Sequence, residues 1–185
     1  MQIFWEVQVK GAERMTDKTE TSAPQSSRGA RFVEGLIKIC REDKAAAASF
    51  RRASSKTLEY QCWPALVRLG VDIEKDSERA AFSCIGSALA AGRVEVNGSA
   101  PLSKALVVSY PPDSSQPQSK LLRLLACGSV EECCQVLRPL IKLVQSRAKT
   151  TIDYAGLLDD LLRFRFAPER IKAKWTADFV GGERK

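Results

Sequence analysis

The chain has 185 residues, with 29 Lys and Arg against 22 Asp and Glu and a formal net charge of +7. It contains no histidine, which removes Ser-His-Asp and Cys-His nucleophile schemes and the side chain most used as a general base near neutral pH. No run approaches the roughly 18 apolar residues of a membrane span, and neither a P-loop nor a GxGxxG pattern occurs, so no catalytic residue, metal or cofactor is expected.

Met1 to Lys10 shows no basic segment leading into an apolar core, and a cytoplasmic location is expected. Within it, Ile3 to Val9 alternates weakly like a short strand. Met15 to Ser27 has almost nothing apolar to bury and is expected to be disordered. Met15 opens a composition typical of a natural N-terminus, so residues 1–14 read as a fusion remnant or an over-extended start of an N-terminal extension covering 1–30.

From Arg31 the pattern turns helical, with Phe32, Val33, Leu36, Ile37 and Cys40 recurring at three- and four-residue intervals. An alanine-rich run, Ala45 to Ala48, leads to Phe50-Arg51-Arg52. Leu58, Cys62, Leu66 and Leu69 form a further face in which Pro64 must start a new turn or kink the helix. Ala81, Phe82, Ile85 and Leu89 form another. Between Gly92 and Gln118, glycine, asparagine, serine and proline interrupt the periodicity, and only Leu102 to Val108 is apolar enough to pack. This reads as a long irregular connector, placing an N-terminal helical part at 31–110, a linker at 111–119 and a C-terminal bundle at 120–182.

In the C-terminal part Ser129 and Glu132 fit a capping box, and Val130, Cys133, Cys134, Leu137, Leu140, Ile141 and Val144 form one apolar stripe. Arg138, Lys142 and Arg147 are expected to face away from it, and Pro139 to kink or split the helix near Val136. Thr150 or Thr151 is expected to cap the next helix, which turns Ile152, Ala155, Leu158, Leu161 and Leu162 inward and ends at Arg163-Phe164-Arg165-Phe166. Pro168 begins a last helix with Ile171, Trp175 and Phe179 on one face. The fold class predicted is all-α, a two-part helical bundle protein with a disordered N-terminal tail. The six cysteines include no CxxC pair and read as reduced core residues without metal-ligand spacing.

Residues 120–185 hold thirteen basic against eight acidic groups, so +5 of the +7 lies in the last third. That excess fits an anionic partner or a mildly basic solvated surface. The candidate nucleic-acid-binding residues are Arg51, Arg52, Arg123, Arg138, Lys142, Arg163 and Arg165. Arg51 and Arg52 end a helix, and the other five, from three neighbouring helices, can converge on one side of a bundle. Guanidinium groups match phosphate oxygens in a planar fork, which holds backbone without reading bases. Phe164 and Phe166 either stack bases or pack into a helix end.

Lys120-Leu-Leu-Arg-Leu-Leu-Ala-Cys, Val136-Leu-Arg-Pro-Leu-Ile, Ile152-Asp-Tyr-Ala-Gly-Leu-Leu and Trp175-Thr-Ala-Asp-Phe, in that order and spacing, resemble the CasB family, the small subunit of the type I-E CRISPR Cascade complex. Phe50-Arg51-Arg52-Ala53 resembles that family's basic pair after its first helix, and the likeness runs with gaps from about Arg31 to Val180. The resemblance implies a non-catalytic subunit, present as two copies beside other Cascade subunits and a guide RNA. Its basic residues would steady single-stranded and R-loop DNA. Arg51, Arg52 and Arg138 match the family's pattern, although that family usually carries two arginines where this chain has Arg138-Pro139; Arg123, Lys142, Arg163 and Arg165 rest on the helical reading alone. A stand-alone helical DNA-binding regulator and a helical adaptor for acidic proteins are the other classes the composition admits.

Overall fold

The structure is a computed structural model that describes residues 26–147 and 151–183. The expected strand at Ile3 to Val9, the reading of residues 1–14 and the expected disorder from Met15 as far as Gln25 lie outside the described residues, as does Thr150. The regular structure of the described residues is helical, joined by turns and loops, apart from a single parallel bridge between Ala100 and Ile152.

Helix α1 (Arg28–Glu42) starts inside the disordered N-terminal extension expected over residues 1–30, because Ser27 Oγ accepts from the Ala30 N–H at 3.0 Å and caps it. Gly29 lies so close to α8 (Tyr154–Phe164) that an added Cβ would collide with the Ala155 carbonyl oxygen, and the Gly29 N–H donates to Asp159 at 2.8 Å. Asp43 caps the alanine-rich α2 (Lys44–Arg52) by accepting from Ala45 and Ala46. A 3₁₀ segment (Lys56–Cys62) then runs into α3 (Trp63–Arg68), where Pro64 opens a helix rather than kinking one.

The centre of the molecule is α4 (Asp76–Ala91). Every residue from Ala81 to Ser87 is buried, so this helix is enclosed on nearly all sides, not along one stripe. Its alanines, serines and Gly86 make that possible: an added Cβ at Gly86 would sit 2.7 Å from Phe50 of α2. Around α4 pack α1, α2, α7 (Val130–Arg147) and α8, while α5 (Leu102–Val108) lies along α9 (Pro168–Glu183). Helices before and after the expected linker therefore pack directly on one another, and their buried side chains form one cluster running from Phe32 to Phe179.

Three local expectations are corrected. Leu102 to Val108, the one stretch of the connector expected to pack, forms α5, and the linker expected at 111–119 is shorter than that, because α6 (Gln116–Leu125) opens at a proline-containing first turn within it. Helix α7 continues through Pro139 rather than splitting there; the proline and Gln135, whose carbonyl it leaves without an intrahelical donor, are both exposed. Helix α8 is capped by Asp153, which accepts from the Gly156 N–H at 2.9 Å. The backbone of Thr151 and Ile152 is occupied instead by the N–H groups of Ala100 and Gly98. Half of the capping box expected at α7 forms: the Glu132 N–H donates to Ser129 Oγ at 3.2 Å, while the Glu132 carboxylate reaches one residue past Ser129 and accepts from the Gly128 N–H at 2.7 Å.

Candidate nucleic-acid interface

A helix end concentrates partial negative charge on its last carbonyls, so cations there are favoured. Arg51 and Arg52 form the last turn of α2, both exposed, and Arg52 donates to Gln61 at 3.4 Å. Arg51 shares a cavity of about 380 Å³ with Arg41, Lys44 and Arg93, cations that the sequence patterns did not single out. Their spacing gives little warning: Arg93 follows α4 and reaches Arg51 only through the packing of α4 on α2.

Arg138 is where the structure departs furthest from the sequence reading. Expected on an outward face, its side chain is only 19% exposed. Its guanidinium donates to the Ala53 carbonyl at 2.6 Å, to Ser87 Oγ at 3.4 Å and to the Glu59 carboxylate at 3.1 Å. Ala53 is the residue that caps α2, so Arg138 anchors the helix end carrying Arg51 and Arg52. At this turn the α2 terminus and the 3₁₀ segment lie against the Arg138 side chain, while Gln135 and Pro139 beside it stay exposed.

The remaining candidates are exposed but do not gather in one place. Arg123 lines a cavity of about 200 Å³ with Lys120, between α6 and α7, and Lys142 is exposed on α7. Arg163 and Arg165 line a third cavity at the end of α8, together with Arg28 and Phe166. The arginines of α6, α7 and α8 thus divide among separate cavities. The two aromatic residues also divide. Phe164 is buried and stacked on Trp175 with ring centroids 5.8 Å apart, whereas Phe166 is 74% exposed beneath the Arg165 guanidinium.

No acid–base or metal chemistry is assembled among the described residues. Asp159 is occupied by the Gly29 N–H, and Asp160 by Lys174 at 2.7 Å and the Trp175 indole at 3.0 Å. No group of three His, Cys, Asp or Glu side chains is placed to hold a metal. Five cysteines are buried and all six are free thiols; burial pushes the Cys62 and Cys133 thiols up, and Cys134 is held well above the usual thiol range by its contact with Cys84 and by burial.

The comparison with known proteins is decisive at this point. Residues 46–179 match the family model of the CRISPR-associated protein Cse2. The chain belongs to the Cse2 family. Among solved structures, CasB from Thermus thermophilus is 24% identical, with a TM-score of 0.69, and the match covers 84% of this chain and 99% of that one. CasB from M. ruber is 23% identical with a TM-score of 0.66, covering 84% and 94%. A chain in the structure of a CRISPR RNA-guided surveillance complex is 23% identical with a TM-score of 0.61, covering 85% and 93%. Among curated proteins there is no match. The Cse2 match contains Arg51, Arg52, Arg123, Arg138, Lys142, Arg163 and Arg165, but begins after Arg41 and Lys44. Among the described residues, no helix is long and apolar enough to cross a membrane.

Proposed function

We propose that this Cse2-family chain is a non-catalytic subunit of a type I-E CRISPR RNA-guided surveillance complex, holding the backbone of opened DNA through Arg51 and Arg52. The observation that supports this most directly is the exposed arginine pair on a helix end which Arg138 fixes from beneath. A phosphate-binding pair needs both solvent access and a rigid base, and these three residues supply them. Arg123, Lys142, Arg163 and Arg165 add exposed positive charge at separate places on the surface, and Arg138 acts by positioning. The partners are the other subunits of the complex, its guide RNA, a second copy of this chain, and the single-stranded and heteroduplex DNA of the R-loop.

Opening DNA against a guide is a near-balanced exchange of one duplex for another, so a few backbone contacts tip it. Complexes carrying Arg51→Ala and Arg52→Ala should load guide RNA normally and release opened DNA faster. The salt dependence of strand binding should flatten by roughly 0.7 in log–log slope per lost contact. R-loop dissociation measured at two salt concentrations decides it: equal lifetimes for wild type and the double variant would leave the pair as ordinary surface charge. A change in sequence preference would point instead to a DNA-binding regulator.

A further inference from the structure

The cavity beside Arg51 has a composition that phosphate holding alone does not require. Its floor is apolar: Leu36, Ala47, Leu89 and Ala90 are buried side chains of α1, α2 and α4, and Val94 closes one side. Its rim is cationic, with Arg41, Lys44, Arg51 and Arg93 all exposed and Glu95 the one carboxylate lining it. Among the described residues none of the four cations has an ion-pair partner, whereas Arg28, Arg79, Arg138 and Lys174 elsewhere do. At about 380 Å³ it lies in the roughly 300–1,000 Å³ range of small-ligand sites.

Arg93 carries a second, independent sign. Helix α4 ends at Gly92, and the Val94 N–H donates back to the Leu89 carbonyl at 3.1 Å, the closure that follows a residue in the left-handed conformation. That residue is Arg93, with φ of 48°, the one non-glycine residue at positive φ among the described residues. Glycine or asparagine normally fills this position, because a Cβ crowds the following carbonyl. A strained backbone that keeps a guanidinium on the rim of a cavity is the pattern of a binding residue retained at a local cost.

We infer that this cavity receives one unstacked base of a single-stranded nucleic acid, with its flanking phosphates on the Arg41, Lys44, Arg51 and Arg93 rim. The inference rests on the strand-holding function proposed above and adds to it an anchor point. The apolar floor takes a base face and the arginine planes cover its edge, an arrangement that tolerates any sequence. The mixed apolar and cationic lining fits a nucleotide better than a bare phosphate, which would gain nothing from the floor.

Cys40 provides the readout, since its thiol lines this cavity and it is the one cysteine that is not buried. The full-length protein is mixed with a fluorescent DNA strand, an RNA strand of the same sequence, or an abasic DNA strand of equal length and charge. Binding is followed by anisotropy, and Cys40 alkylation by N-ethylmaleimide is followed by peptide mass spectrometry. A base-bearing strand should slow alkylation of Cys40, DNA and RNA arms showing which sugar is accepted. The abasic strand should bind roughly tenfold more weakly and leave the alkylation rate unchanged. Arg93→Gly should weaken base-bearing strands several-fold at an unreduced melting temperature, since glycine suits that backbone. Equal protection by intact and abasic strands, or none by either while both bind, would overturn the base site and leave the strand-holding function standing. Absence of all strand binding would remove both. Protection by a poly-glutamate peptide equal to that by the strand would make the cavity a seat for an acidic protein segment and overturn the inference.

Discussion

Replacing Arg138 by alanine should destabilise the fold before it touches any nucleic acid. The guanidinium satisfies the Ala53 carbonyl, Ser87 and Glu59, and the Arg138 and Glu59 side chains are 19% and 14% exposed. Removing a partner from a fully buried pair costs about 3–5 kcal/mol, and a buried carbonyl left unsatisfied costs about 1–3 kcal/mol. Partial exposure lets water recover some of this, so about 2–4 kcal/mol is expected for Arg138→Ala. In a protein of this size that lowers Tm by roughly 5–12 °C. Thermal and urea unfolding of Arg138→Ala, Glu59→Gln and the double variant should return a coupling of at least about 1 kcal/mol. Arg51→Ala with Arg52→Ala, by contrast, should stay within about 0.5 kcal/mol of wild type, as exposed substitutions do. A loss below about 0.5 kcal/mol for Arg138→Ala would refute its role as an anchor and return it to the set of exposed phosphate contacts.

Gly86→Ala should cost about 1–3 kcal/mol by driving a methyl group into Phe50, read from circular-dichroism melting. Asn97→Ala should cost about 2 kcal/mol, because Asn97 Oδ1 accepts from the Tyr154 and Ala155 N–H groups at the start of α8 and its Nδ2 donates to Asp153. The purified chain should hydrolyse no nucleic acid with or without magnesium or manganese; Asp160→Asn should lower Tm by loosening Lys174 and Trp175, and a co-purifying nuclease lost in that variant would contradict it. Burial holds the Cys40 thiol above its ordinary value of 9.0 and the Arg51 charge opposes this, so alkylation of Cys40 should still be accelerating above pH 9, and more slowly in Arg51→Ala. The buried Cys62 and Cys133 thiols, raised in the folded state, ionise first in the unfolded chain; their contribution to stability is intact below about pH 8.5 and should be lost as pH rises beyond it, seen as a falling Tm.

The stripes of α1, α7, α8 and α9 were legible because each buries one face and leaves the other wet, which is the condition for a 3.6-residue period to appear. Helix α4 shows why the condition matters. Its faces are nearly all covered, its small residues Ser83, Gly86 and Ser87 carry little hydrophobic contrast, and so the pattern marks Ala81, Phe82, Ile85 and Leu89 while missing that their neighbours are equally buried. The caps divide in the same way. Ser129 and Glu132 act within one turn and can be read locally; the second cap on α8 comes from Asn97, 57 residues before Tyr154, and no local motif contains it.

The candidate site fails and succeeds on the same ground. A helical stripe says which way a residue points relative to its own helix, and for Arg51 and Arg52 at an open helix end that direction leads to solvent. For Arg138 it leads to Glu59 and Ala53, 79 and 85 residues earlier in the chain, which the fold lays against its guanidinium. An arginine opposite an apolar stripe therefore has two destinies that sequence cannot separate, and the difference is whether a later layer of packing covers it. Arg93 is hidden for a further reason: its significance lies in a positive φ, a backbone angle with no trace in residue type, since the residue usually found there is glycine. Exposed charge at a helix end and strained charge at a cavity rim are thus complementary signals, the first visible in sequence and the second only in the fold, and at Arg51 the two meet.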